Sequence, residues 1–201
     1  MRSEWRINSK LFALLSMCFF ALYAYPLSAV EEAETANAFA AYGDDFRWLD
    51  DWDEGMALAR KLDKPVIVYF TSASCGSCRA METHTFASQE IRARFTNDWI
   101  CIRMKSLVKK TATFRGKQMS YSRLRKYLRV NGVPSYIFFD REGEPVQSVV
   151  GTKDIEEFGD ILDYMRDEAY KKGVTFQEYR NGGGEKKESV SVWRKLRNLV
   201  F

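Results

Sequence analysis

The sequence predicts an α/β fold in which a central mixed β-sheet is covered by helices on both faces. Short apolar runs rich in β-branched and aromatic residues, such as VIVYF at 66–70, are typical of strands buried on both faces. Segments with helical periodicity separate these runs. The last two runs are joined by a glycine turn and followed by a helix, which predicts an antiparallel hairpin at the end of the domain.

The first part of the domain alternates helix and strand. The predicted elements are a helix over 52–62, a strand over 66–70, a helix starting at or near Cys75, a helix over 88–95 and a strand over 99–104. Asp50 or Asp51 is the candidate N-cap of the first helix, and Pro65 disfavours helix in the residue before it. Ser88 caps the third helix.

The second part of the domain carries a basic segment and the closing hairpin. The predicted elements are an irregular basic insert over 105–119, a helix over 120–130, a strand within NGVPSYIFFD at 131–140, a strand over 146–151 and a helix over 153–172. Ser120 or Ser122 caps the helix after the insert, and Gly143 lies in the hairpin turn. Ile155 and Met165 mark the ends of the last helix's apolar face.

Composition divides the chain of 201 residues into four segments. They are an export signal peptide over 1–29, a polar lead-in over 30–45, one domain over 46–180 and a flexible tail over 181–201. The largely apolar run LFALLSMCFFALYAY holds 15 residues, fewer than the roughly 20 that a spanning helix needs. The sequence therefore predicts export, and the C-terminal residues RNLVF, which are not an endoplasmic reticulum retention signal, favour a bacterial periplasm as the destination. Leu27 is unfavourable near a cut after Ala29, so an uncleaved inner-membrane anchor stays the alternative.

Charge is unevenly distributed along the chain. Residues 31–54 hold nine acids and one base, whereas residues 103–129 hold ten bases and no acid. Two solvated surfaces that face each other explain this pattern, and attraction of an acidic partner is the alternative. Export argues against nucleic acid as a partner. The tail ends in the basic amphipathic pattern VSVWRKLRNLVF, so membrane contact through it stays an alternative to a frayed end.

The motif Cys75-Gly-Ser-Cys78 carries the chemistry, and three functions suit it: a redox couple, a structural disulfide or part of a metal site. A thiolate at Cys75 is favoured by the N-terminus of the following helix, and Cys78 lies almost one turn further on. A metal site needs more ligands, and the sequence has one histidine, His84, and no second Cys-x-x-Cys. We therefore predict no metal and no cofactor beyond the pair itself. Cys101, between two isoleucines, is predicted to be an inert buried thiol.

Residues 46–172 resemble the thioredoxin superfamily in three features that follow one another. These are KPVIVYF followed by CGSC at a helix start, a Val-Pro bond directly before a strand in NGVPSYIFFD, and a hairpin leading to a C-terminal helix. More narrowly, the chain is similar to the periplasmic thioredoxin-like proteins associated with sulfur-oxidation systems. The segment GKQMSYSRLRKYLRVNGVPSYIFFD and the closing TFQEY carry that narrower similarity.

The resemblance implies a thioredoxin fold and a thiol–disulfide oxidoreductase. Cys75 would attack the partner, Cys78 would resolve the mixed disulfide, and Val133 with a cis-Pro134 would bind the substrate backbone. It implies partner proteins with cysteines or disulfides, their reduction as the favoured direction, and a membrane thiol transporter as electron donor. Disulfide formation or isomerisation is the alternative activity. A protein that binds a metal or a partner through the pair without turnover is the alternative from another class.

Two positions depart from the resemblance. Superfamily members often carry a buried carboxylate six residues before the first cysteine, where this chain has Tyr69. They often carry an aromatic residue directly before that cysteine, where this chain has Ser74. Assistance of proton transfer is therefore absent or comes from elsewhere, for example from water, and the site is expected to be more polar. The basic insert at 105–119 is expected to influence the choice of partner.

Overall fold

The computed structural model describes residues 46–182. The helices are α1 (Trp52–Leu62), α2 (Gly76–Ala80), α3 (Gln89–Asp98), α4 (Tyr121–Tyr127), α5 (Ile155–Arg166) and α6 (Phe176–Arg180). A π-helical turn, Met81–Thr85, continues α2, and a 3₁₀ turn, Ala169–Lys172, precedes α6. The strands are β1 (Val66–Thr71), β2 (Ile100–Lys105), β3 (Thr111–Phe114), β4 (Lys117–Ser120), β5 (Ser135–Phe139) and β6 (Pro145–Val150).

Four strands form the central sheet in the order β2-β1-β5-β6. β1 pairs with β2 in parallel and with β5 in antiparallel orientation, so that Val66 lies opposite both Ile100 and Phe139. β5 and β6 form the antiparallel hairpin. Leu49 adds an isolated parallel bridge to Ile102 at the outer edge of β2. The predicted mixed sheet is confirmed.

Each face of the sheet buries its own apolar core. Val66, Val68 and Phe70 of β1 pack into the cluster under α1 and α4, whereas Ile67 and Tyr69 pack into the cluster under α3 and α5. All five are at most 2% exposed, and full burial of such a side chain contributes about 1.5–3 kcal/mol. The apolar run is continuous because alternate residues of a strand point to opposite faces and both faces are covered.

The basic insert is more regular than predicted. Residues 105–119 are not irregular throughout, because Thr111–Phe114 and Lys117–Ser120 pair as an antiparallel hairpin. Alternate residues of β3, Ala112 and Phe114, are buried in the core beneath α1. Arg115 and Gly116 have φ angles of 50° and 71°, and two successive positive values fit a tight hairpin turn.

Two helices are shorter than predicted. The expected helix over 153–172 ends at Arg166, and Glu168 then adopts a left-handed φ of 50° before the 3₁₀ turn. The expected helix over 120–130 ends at Tyr127, and Arg129 has a φ of 55°. A residue with a left-handed backbone cannot continue an α-helix. The apolar periodicity in the sequence therefore extends beyond the residue at which each helix ends.

Several predictions concern residues outside the described part of the chain. The export signal over 1–29, the lead-in over 30–45 and all of the tail beyond residue 182 lie there. Within residues 46–182, no helix is long and apolar enough to cross a membrane. Cleavage, anchoring and export thus stay predictions.

Candidate active site

The cysteine pair follows the carboxyl end of β1, a central strand of the sheet. The backbone N–H of Cys75 donates to the carbonyl of Ser72 at 3.1 Å, which turns the chain from the strand into the helix. Cys75 is the N-cap of α2, with extended backbone angles, and its sulfur accepts a hydrogen bond from the backbone N–H of Cys78 at 3.0 Å. An N-cap side chain satisfies a donor that the helix leaves unpaired. The fold thus places Cys75 at the positive end of the helix.

Cys75 and Cys78 are joined in a disulfide with their Cα atoms 5.2 Å apart. The two sulfurs differ in environment. Cys75 is partly exposed, and its sulfur lies 3.3 Å from the hydroxyl oxygen of Ser77. Cys78 is only 1% exposed and packs in the core beneath α3 and α5. A partner can therefore reach the first sulfur and not the second.

Val133 and Pro134 lie where the resemblance implies. The peptide bond between them is cis. Val133 and Cys75 both pack against the apolar cluster that holds Cys78, and Pro134 directly precedes β5, the neighbour of β1. The carbonyl of Pro134 accepts from the N–H of Gly151 at 2.9 Å. The structure thus brings this segment to the side of the sheet that carries the pair, and its role in binding substrate stays a prediction.

Tyr69, the residue at the position of the expected carboxylate, is fully buried beside Cys78. Its hydroxyl oxygen lies 3.4 Å from the carbonyl oxygen of Cys78 and 3.3 Å from a carboxylate oxygen of Glu82. The hydroxyl of Thr71 lies 3.5 Å from the same carboxylate oxygen. Burial raises the pKa of the Tyr69 hydroxyl far above its ordinary value. Tyr69 therefore stays protonated near neutral pH and acts as a hydrogen-bond donor.

Glu82 is the residue of this cluster that the sequence analysis missed. It lies four residues after Cys78 along the helical segment, and residues four apart share one face of a helix. That spacing is the one sequence signal that points to Glu82 as a neighbour of the pair. The contact with Tyr69 depends on how the helix packs on the sheet, so the sequence alone does not reveal it.

Behind Tyr69 lies a second buried tyrosine. The rings of Tyr69 and Tyr136 are stacked, with centroids 5.4 Å apart and an interplanar angle of 11°. The hydroxyl of Tyr136 has no hydrogen-bond partner within residues 46–182, and burial strongly raises its pKa. Phe86 and Trp48 complete the aromatic wall around Tyr69. Aromatic side chains thus fill the space beneath the pair.

Ser74, His84 and Cys101 have different surroundings. Ser74 is exposed, and its hydroxyl lies 3.2 Å from that of Ser72, which makes the entrance to the pair polar. His84 is exposed on the π-helical turn. Cys101 carries a buried thiol in β2 opposite Ile67. Across the described residues, no group of three or more histidine, cysteine and acidic side chains is placed to hold a metal ion.

Comparison with known proteins agrees with this fold. The family model described as a thioredoxin-like domain matches residues 52–166. Mouse (Mus musculus) anterior gradient protein 3 is 32% identical over 63 residues, which are 31% of this chain and 38% of that protein. The chain thus spans well under half of that relative's length.

Two solved structures are similar to this chain at low sequence identity, and the first of them supports the fold. A thioredoxin-fold protein from Helicobacter pylori is 16% identical with a TM-score of 0.54, and the match covers 60% of this chain and 80% of that one. A thioredoxin from Thermus thermophilus is 23% identical with a TM-score of 0.46, covering 58% and 85%. The family model covers more than half of the chain and spans the disulfide pair and the cis-proline. This chain therefore belongs to the thioredoxin-like domain family of the thioredoxin superfamily.

Proposed function

We propose that this protein is a thiol–disulfide oxidoreductase that works through Cys75 and Cys78. The observation that carries the proposal is the asymmetry of the pair, in which a partly exposed sulfur caps a helix N-terminus and its disulfide partner is buried. A helix N-terminus stabilises the thiolate that initiates exchange. The site needs no cofactor besides this disulfide.

The exchange proceeds in two steps with the reduced protein as electron donor. The thiolate of Cys75 attacks a sulfur of the partner disulfide, a mixed disulfide forms, and the partner's second sulfur leaves as a thiolate that takes up a proton. Cys78, as a thiolate, then attacks the sulfur of Cys75. The internal disulfide forms, the partner leaves with both thiols reduced, and two electrons have passed to it. The reverse sequence oxidises a partner dithiol.

The proposed partners are exported proteins that contain disulfides, and reduction is the proposed direction. The predicted export signal at 1–29 and the resemblance to periplasmic thioredoxin-like proteins support this choice. A membrane thiol transporter would then restore the dithiol by the same exchange chemistry. The association with sulfur oxidation stays a prediction of the same kind.

The direct test is reduction of insulin disulfides by the purified protein with dithiothreitol as electron source. Cys78→Ser should trap mixed disulfides through Cys75 in cells, whereas Cys101→Ser is the matched control and should behave as wild type. Absence of both insulin reduction and trapped adducts would refute the oxidoreductase. Stoichiometric copper or zinc that is lost in Cys75→Ser would identify a metal-binding protein instead.

The reduction potential of the pair decides the direction. A value near that of thioredoxin, about −270 mV, supports a reductant, and a value near about −120 mV supports an oxidant. Equilibration with glutathione buffers followed by thiol alkylation measures it. This measurement leaves the oxidoreductase proposal itself untouched and tests only the direction.

A further inference from the structure

A groove lies beside the cysteine pair and takes no part in the chemistry described above. We call it the basic groove. It has a volume of about 520 Å³, and the segment Lys105–Thr111 forms one wall while the start of α4, with Tyr121 and Arg125, forms the other. Buried Phe70 and Met104 form an apolar floor.

Two neighbouring apolar side chains stand on the rim of the basic groove. Leu107 is 99% exposed and Val108 is 40% exposed. Leu107 has a left-handed φ of 69°, a conformation that leucine rarely adopts. A single exposed apolar residue is ordinary, but two of them beside an apolar floor form a patch of the kind that binds a partner. The groove thus offers apolar contacts that nothing in residues 46–182 covers.

Among residues 46–182, every charged side chain that lines the basic groove is basic. The four are Lys105, Lys109, Lys110 and Arg125. Two of them have acidic neighbours from the turn before α1. The ammonium of Lys105 lies 3.7 Å from Asp50, and that of Lys110 lies 3.3 Å from Asp51. Both pairs are substantially exposed, so solvent weakens them.

The other two basic groups, Arg125 and Lys109, form no ion pair with a carboxylate of residues 46–182. The guanidinium of Arg125 donates to the hydroxyl of Ser106 at 2.9 Å and to the carbonyl of Val130 at 3.1 Å, and both acceptors are neutral. Lys109 makes no ion pair within the described part of the chain. The groove therefore keeps a positive charge that an acidic ligand would balance.

The basic groove lies next to the active site in the fold. The backbone N–H of Ser106 donates to the carbonyl of Thr71 at 2.8 Å, and Thr71 pairs with Lys105 across the sheet. Only three residues separate Thr71 from Cys75, so the Cα atoms of these two residues lie at most about 15 Å apart. On the other side, α4 leads directly into the loop with the cis-proline. One extended partner segment can span both places.

We propose that the basic groove docks an acidic segment with interspersed apolar residues, located beside the disulfide of the protein on which this oxidoreductase acts. The proposal rests on the function proposed above and adds the class of partner to it. Carboxylates would balance Lys109 and Arg125, while leucine or valine side chains would cover the rim at Leu107. A neutral segment would gain the apolar contacts alone, and a basic one would be repelled.

Paired synthetic peptides test the groove. Each carries one cysteine activated as a mixed disulfide with thionitrobenzoate, followed by a six-residue segment in which aspartate or glutamate alternates with leucine or valine. In the matched peptide, asparagine and glutamine replace the acids. We expect the reduced protein to react about tenfold faster with the acidic peptide at low salt, and we expect this ratio to fall as salt rises.

Variants then locate the effect. In Lys109→Glu the ratio of the two rates should fall toward one, and Leu107→Ser should slow both peptides. Lys126→Glu carries the same charge change on the exposed side of α4 away from the groove and should keep the wild-type ratio. Equal rates for the two peptides in wild type, or an equal loss of the ratio in Lys126→Glu, would overturn the proposal.

A second readout separates the groove from the redox chemistry. If the reduced protein reacts with neither peptide, the proposed function fails. Fluorescence anisotropy of a labelled, cysteine-free acidic peptide on the oxidised full chain then tests the groove alone. Binding that Lys109→Glu weakens supports the groove. Tighter binding to phosphatidylglycerol vesicles than to the peptide, or self-association that Leu107→Ser abolishes, would assign it to another occupant and overturn the proposal.

Discussion

The difference in burial between the two active-site sulfurs predicts very different alkylation rates. Two single variants, Cys75→Ser and Cys78→Ser, each leave one of these thiols reduced. In Cys78→Ser the remaining thiol is partly exposed at the end of a helix and should react with iodoacetamide as an accessible thiol does. In Cys75→Ser the remaining thiol is 1% exposed. It should react only when the start of α2 opens.

The structure sets the size of the effect. Opening this turn exposes Met81, which is 1% exposed in the folded protein. It also breaks two backbone hydrogen bonds, in which the N–H of Arg79 donates to the carbonyl of Cys75 and the N–H of Met81 donates to a carbonyl within α2. Exposure of a methionine side chain costs about 2 kcal/mol, and two hydrogen bonds cost about 2 kcal/mol more. A local opening that costs about 4 kcal/mol makes the alkylation rate of Cys78 about a thousandfold lower than that of an accessible thiol.

Mass spectrometry of tryptic peptides gives both rates. Cys101, which is completely buried in β2, serves as an internal reference for larger unfolding in each variant. Cys78 should be modified faster than Cys101 and far more slowly than Cys75. Rates for Cys75 and Cys78 within tenfold of each other, measured at the alkaline plateau of each, would refute the assignment of attacking and resolving sulfurs.

Three further predictions concern the scaffold and the proton path. A Cβ at Gly55 would lie 2.4 Å from Cγ1 of buried Ile102, so Gly55→Ala should lower the free energy of unfolding in urea by about 2–3 kcal/mol; a stabilised variant would contradict this packing. The guanidinium of Arg94 forms two hydrogen bonds, of 3.1 and 3.0 Å, to the buried carboxylate of Asp163. Arg94→Met should lower the free energy of unfolding by about 3 kcal/mol, which is the low end for a broken buried pair because Arg166 also contacts that carboxylate. A decrease of less than about 1 kcal/mol would show that solvent already weakens the pair. Glu82→Gln should slow resolution of a trapped mixed disulfide about tenfold, whereas an unchanged stopped-flow rate would exclude a role for this carboxylate.

The sheet and the position of the pair are predictable from sequence because local patterns determine them. VIVYF has no polar position, so it must be covered on both faces, and Cys75 follows it directly. The cis bond before β5 was expected from the resemblance, since the residues alone show only that proline follows Val133. The sheet strand and the position of the pair thus depend on residues that are neighbours in sequence.

The insert and the Tyr69 cluster depend on tertiary packing. Four residues of β3 alternate in burial, too few for periodicity to distinguish a strand from a polar loop rich in lysine. Tyr69 and Glu82 are 13 positions apart and meet only because α2 packs on the face of β1 that holds Tyr69. The hydrogen bond from the N–H of Ser106 in the insert to the carbonyl of Thr71 likewise joins segments that are distant in sequence.

If Cys78 is the resolving thiol, as we propose, the tyrosine at position 69 changes how that thiol loses its proton. Burial holds the Tyr69 hydroxyl in its neutral form, so it cannot accept that proton near neutral pH. Its hydrogen can bond either the carbonyl oxygen of Cys78 or the carboxylate of Glu82, and both acceptors lie within 3.4 Å. Glu82 is exposed to solvent, whereas Cys78 is only 1% exposed. Because its carboxylate lies beside the Tyr69 hydroxyl, which itself lies beside Cys78, Glu82 is the group that we expect to serve as that base or to order a water that does.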